Sequence, residues 1–236
     1  MKILVHRAID RGKADFGWLK ANYSFSFANY YNPEKENFGA LRVLNDDCIQ
    51  ASHGFGKHPH SNMEIVTIPL SGAIKHADST GNEGVIKVGD IQIMSAGSGI
   101  LHSEFNASES DEAALFQIWI FPKILNMPPR YDQLFFDERE RVNSWQVVVS
   151  PKENSHALWI NQDAYISLGN FDEDKSYQLF NSLNGVYLML IEGEAEINGV
   201  RLSDRDCIGI SDVSDFQITV LKPVKLLAIE VPMQIN

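Results

Sequence analysis

Apolar residues in this chain come in short runs closed by Gly, Asn, Asp or Pro, and helical periodicity of any length is scarce. Such punctuation predicts strands. In the first half the spans 64–70, 72–77, 85–88, 90–94 and 115–121 are rich in β-branched or aromatic residues. The second half repeats the style over 145–150, 164–168, 186–191, 195–197, 207–210, 216–221 and 224–231. The expected class is all-β, with strand spacing that suits a sandwich or barrel. Between the halves, 122–143 holds Pro122, Pro128 and Pro129 and then the charged run Asp137-Glu138-Arg139-Glu140-Arg141, which reads as a linker. The expected units are therefore 1–138 and 139–236. A faint echo relates them: Leu70-Ser71-Gly72 followed by Gly89-Asp90-Ile91 resembles Ile191-Glu192-Gly193 followed by Arg205-Asp206-Cys207. The alternating Glu192, Glu194 and Glu196 read as a solvated sheet edge.

Composition narrows the function. The 236 residues are 44% hydrophobic and 22% charged, as in an ordinary globular protein, and no apolar run nears the roughly 20 residues that span a bilayer. Twenty basic against thirty-one acidic side chains leave a net charge of −11, which repels phosphate backbones and argues against direct nucleic-acid binding. No export signal marks Met1 to Arg7, so a cytoplasmic location is expected, with Cys48 and Cys207 reduced and buried.

Six of the seven histidines, His6, His53, His58, His60, His76 and His102, lie in the first half, so any histidine chemistry belongs there. His58-Pro59-His60 places two imidazoles at i and i+2, on one face of an extended strand. His102-Ser103-Glu104 repeats that spacing with an imidazole and a carboxylate, just after the glycine-rich turn Ser95-Ala96-Gly97-Ser98-Gly99. A lone HxH is more often a pair of surface histidines, but a second pair after such a turn favours a metal site. Three neutral imidazoles and one carboxylate suit a divalent ion such as Fe, Mn, Ni, Cu, Co or Zn and leave an octahedral ion two open positions. Glu64, beyond His60, competes with Glu104 as the carboxylate, and spacing alone does not choose. His53 and His76 could line a pocket, although a surface role is the commoner fate. Phe25, Phe27, Tyr30 and Tyr31 could stack on a flat substrate or fill sheet core, and Trp119 and Phe121 read as core.

Phe55-Gly56-Lys57-His58-Pro59-His60-Ser61-Asn62-Met63-Glu64 and Gly89-Asp90-Ile91 through His102-Ser103-Glu104 resemble the signature of the pirin family of cupins. The likeness extends through Phe16-Gly17-Trp18, Tyr23 to Tyr31, Leu41 to Asp47, Gln117 to Ile120 and Pro129-Arg130-Tyr131, and is nearest to the bacterial pirin-like quercetinases. It implies a bicupin, two facing β-barrels, with one metal in the N-terminal barrel. It also implies Glu104 as the carboxylate ligand, with Glu64 as a pocket neighbour. Ser71 and Ser95 stand where the general cupin motifs place Gly and Pro. Aligning the echo puts Leu179, Asn181, Ile218 and Val220 at the counterpart ligand positions, so the C-terminal barrel is expected to be metal-free.

The function so implied is a metal-dependent dioxygenase that cleaves a flavonol such as quercetin with O2, with Fe(II) the first choice of ion and Glu104 as general base. The alternative is an iron-bearing redox-responsive regulatory module that acts through a protein partner.

Overall fold

The structure is a computed structural model that describes residues 1–153 and 156–235. It is nearly all β, in three sheets. A seven-stranded sheet runs in the order Arg130–Phe135, Asp90–Ser95, Glu64–Ser71, Ala113–Ile120, Leu41–Ile49, Leu19–Tyr23, Gly12–Asp15. Facing it, Gly54–His60, Ile100–Asn106, Ala73–Asp78 and Glu83–Lys87 form a four-stranded sheet. The second half contributes most of a nine-stranded sheet built around the long strands Asn184–Ile197 and Asp215–Pro232. Each of these is one bulged strand where the sequence predicts two. Among the described residues no helix is long and apolar enough to cross a membrane.

The near-continuous apolar run Leu115 to Ile120 has a physical cause, because Ala113–Ile120 is covered on both faces. Phe116, Ile118 and Ile120 join Leu44, Val66 and Ile93 in a buried cluster that also takes Val148, Ile166, Tyr187 and Leu227 from the second half. This cluster bonds the two barrels together. The opposite face of the same strand sends Leu115, Gln117 and Trp119 into the N-terminal barrel, where Leu19, Ala21, Tyr23, Ile49, Ile74 and Ile86 pack. Leu179 and Ile218 lie in the buried cluster of the second half, and Asn181 gives its backbone N–H to Glu230 Oε1.

Several expectations need correction. The 122–143 span is not all linker, since Arg130–Phe135 pairs antiparallel with Asp90–Ser95 as an edge strand. Glu192, Glu194 and Glu196 are not on an edge, because their strand is paired with Asp215–Pro232, where Lys225 and Lys222 meet Glu192 and Glu194. Cys48 is only partly buried, and its thiol stands 3.4 Å from Glu112 Oε2. We propose 1–138 and 139–236 as the two units. Lys2–His6 crosses between them by pairing with Cys207–Ser211, and His6 Nδ1 lies 2.8 Å from the Tyr187 hydroxyl.

Candidate metal centre

Two neighbouring strands carry the candidate ligands. Gly54–His60 and Ile100–Asn106 run antiparallel with His58 directly opposite His102 and His60 opposite Ile100. A register slip between His102 and Glu104 shifts the carboxylate relative to Gly54–His60, while Glu104 stays in register with His76 on the other side. The turn before His102 depends on Gly97, which has φ +49°. A Cβ at this glycine would stand 2.0 Å from the Met127 carbonyl oxygen. That turn is tied to the strand bearing His60 by the Asn62 N–H, which donates to the Gly97 carbonyl at 2.8 Å.

The imidazoles of His58, His60 and His102 form a triangle with ring centroids 4.4–4.9 Å apart. One ring nitrogen from each lies within 4.8 Å of the other two. Metal bonds of about 2.0–2.2 Å put adjacent donors about 3 Å apart, so small side-chain rotations close the set on one ion. His58 Nδ1 lies 2.7 Å from the Gly56 carbonyl, which makes Nδ1 the protonated nitrogen and leaves Nε2 with its lone pair. His102 is 1% exposed, yet neither of its ring nitrogens has a hydrogen-bond partner. A buried imidazole needs a partner for the nitrogen that keeps its lone pair, and with two more imidazoles beside it a divalent ion is a partner that the residues present fit. Burial, reinforced by His58, lowers the His60 pKa to about 4. Burial and then the neighbouring histidines His58, His60 and His76 lower that of His102 to about 3. Both rings are therefore neutral, as ligation requires.

Glu104 lines the same cavity and is buried. Its donor atom groups within 4.8 Å of those of His102 and His76, so His102 is common to both sets. Gln117 Nε2 donates to Glu104 Oε2 at 2.9 Å. Thr67 Oγ1 stands 3.3 Å from Glu104 Oε1 and 3.2 Å from Gln117 Oε1, and its one proton serves either. Burial raises the Glu104 pKa to about 7, against these two hydrogen bonds. Glu64 does not line the cavity. Strand alternation sends Ile65 and Thr67 inward, and Glu64 points away to accept from Ser95 Oγ at 2.8 Å and from the Asn161 backbone N–H at 3.3 Å.

With Glu104 in the ligand set, protons would compete with metal for it. Roughly nine-tenths of a group with this pKa is protonated at pH 6 and about a tenth at pH 8, so metal binding displaces a proton at the lower pH only. Calorimetry in buffers of different ionisation enthalpy is expected to show close to one proton more released by the wild type than by Glu104→Gln at pH 6. The difference should shrink toward zero at pH 8; a constant difference would remove Glu104 from the ligand set.

Other residues fall where sequence reasoning did not put them. His76 is fully buried rather than on the surface, with Nε2 3.2 Å from Asp78 Oδ2 and its ring stacked on Tyr131 at 4.7 Å. The signal was present, because His76 and Asp78 repeat the i, i+2 spacing of the other pairs. His53 is exposed and stacks on Trp18. Trp119 is cavity wall rather than core, with its ring 4.9 Å from that of His60. Phe27 also lines the cavity, whereas Phe25 packs between the barrels and Tyr31 is exposed. The cavity holds about 250 Å³ and is walled mainly by Phe16, Phe27, Phe55, Ile65 and Trp119 beside the histidines.

A pirin family profile matches residues 5–120, and that of the quercetinase C-terminal cupin domain matches 147–231. A quercetin 2,3-dioxygenase of Escherichia coli strain K12 is 39% identical over 98% of this chain and 99% of its own. A pirin-like protein of Caulobacter vibrioides is 44% identical over 93% of this chain and 95% of its own. The chain belongs to the pirin family. Its fold matches the bacterial pirin YhhW of Escherichia coli, crystallised in complex with nickel(II), with a TM-score of 0.91 at 39% identity over 98% of this chain and 99% of that one. The cluster of histidines and Glu104 described above is thus a candidate metal site in a pirin bicupin.

Proposed function

We propose that this pirin is a metal-dependent dioxygenase that cleaves a flavonol with O2 at an ion, iron(II) in first place, held by His58, His60, His102 and Glu104. The observation that carries the reading is the buried His102, with both nitrogens unpartnered on the wall of an aromatic cavity. The name of the 39% identical relative supports the substrate class, and the nickel(II) in YhhW supports the metal.

A bound divalent ion supplies a Lewis-acid centre at which a flavonol hydroxyl loses its proton readily and O2 and substrate are brought together. The remaining work belongs to the chain. Phe27, Phe55 and Trp119 give a flat aromatic ring surfaces to pack on and keep water from it. Gln117 and Thr67 orient the Glu104 carboxylate, which takes up the hydroxyl proton when it loosens from the ion.

Anaerobic purification with metal analysis, then oxygen uptake with flavonols and catechols, tests the proposal. Uptake with quercetin is the expected result. If protein loaded in turn with Fe, Mn, Ni, Cu, Co and Zn consumes no O2 with any of them, the enzymatic reading yields to the regulatory module.

A further inference from the structure

The chemistry above uses the histidine wall of the cavity and leaves another part of it without a role. Asn45 and Asp47 stand two apart on Leu41–Ile49, so their side chains leave the same face, and both line the cavity. They are 3% and 5% exposed, and the Oδ1 atom of each lacks a hydrogen-bond partner. Two such oxygens on one face of a cavity take their bonds from whatever fills it, water in the empty pocket and a donor group of the ligand when one is bound. Tyr23, opposite Asn45 in the sheet, completes this polar row, and Phe16, Leu19 and Phe55 border it.

We propose that Asn45 and Asp47 form a second subsite of the same cavity, which receives a phenolic hydroxyl of the bound aromatic other than the one at the histidines. The chemistry of the two groups selects a hydroxyl. Asn45 Oδ1 only accepts, so the ligand atom must donate. Burial above all favours the neutral form of Asp47, whose hydroxyl then donates in turn. A hydroxyl donates and accepts at once. A carboxylate or phosphate has nothing to give Asn45 Oδ1 and meets Glu104 in the same cavity, and an ammonium group cannot accept from a neutral Asp47.

This inference rests on the flavonol reading, and its consequence is a preference for polyhydroxylated flavonols. Quercetin and 3-hydroxyflavone share the hydroxyl–carbonyl pair offered to the metal and differ in the remaining hydroxyls. Equilibrium binding of each to the metal-loaded protein under anaerobic conditions, read by tryptophan fluorescence with Trp119 in the wall, separates the two contributions. Wild type is expected to bind quercetin about tenfold or more tightly than 3-hydroxyflavone. Asp47→Leu should bring the ratio close to one while leaving 3-hydroxyflavone unchanged, and Asp47→Asn should keep most of the preference. Asn45→Leu carries the same comparison if Asp47→Leu does not fold. A ratio unchanged in the variants, or an equal loss for both ligands, overturns the subsite and leaves the flavonol reading standing. Failure of wild type to bind either ligand overturns both.

Discussion

His60→Ala is expected to empty the metal centre without unfolding the barrel. His60 supplies one of three imidazoles in a triangle only 4.4–4.9 Å on a side, and its replacement leaves the ion two nitrogens and a carboxylate. Loss of a partner that merely orients a ligand already weakens metal binding by about 10- to 100-fold, so loss of the ligand itself should exceed that. Metal per chain after dialysis should fall from about one to near zero. The fold should survive, because His60 is only half-buried and the barrels are joined by apolar residues such as Phe116, Ile118 and Leu227. Any drop in melting temperature should equal that of chelator-stripped wild type, since both lose only the stabilisation that metal binding contributes by mass action. Unfolded His60→Ala beside a folded, stripped wild type would mean that the imidazole holds up the barrel by packing on Trp119. If both unfold, the metal is structural.

Local periodicity and long-range register divide what could be read from the residues. The pairs His58/His60 and His102/Glu104 were legible because a strand's period of two puts i and i+2 on one face whatever the strand pairs with. That two such pairs sit side by side, with His58 opposite His102, is a fact of register with no local trace. For the same reason the sequence carries no sign that Thr67 and Gln117 bond to Glu104. They are opposite one another on adjacent strands, and only that pairing brings them to Glu104. The choice between Glu64 and Glu104 follows from alternation once Ile65 is known to face inward, but inward and outward are defined by the fold and not by the span itself. Arg130–Phe135 was hidden by composition. An edge strand with partly exposed residues on both faces lacks the apolar alternation that marks a strand, and Pro128 and Pro129 before it read as linker. Lys2–His6 pairs with Cys207–Ser211 some two hundred residues away, a contact that no local pattern announces.

Glu104→Gln is expected to slow oxygen uptake with quercetin by about 10²–10⁴-fold, the range set by removing a general base, while Glu64→Gln stays close to wild type. The two carboxylates are both buried, and their surroundings differ in what an amide does to them. At Glu64 the groups that meet the carboxylate, Ser95 Oγ and the Asn161 N–H, are donors that an amide oxygen still satisfies, and burial already biases this carboxyl toward its neutral form. At Glu104 the substitution places an amide against the Gln117 amide and the Thr67 hydroxyl, where its oxygen can keep one bond but has no capacity for a proton. Metal content then separates the two roles of Glu104. A variant that keeps its ion and turns over slowly has lost the proton acceptor, whereas one that loses the ion has lost a ligand. Equal slowing by both substitutions would contradict the placement of Glu64 outside the cavity, because a carboxylate bonded to Ser95 and Asn161 touches neither the substrate nor the histidines that hold the metal.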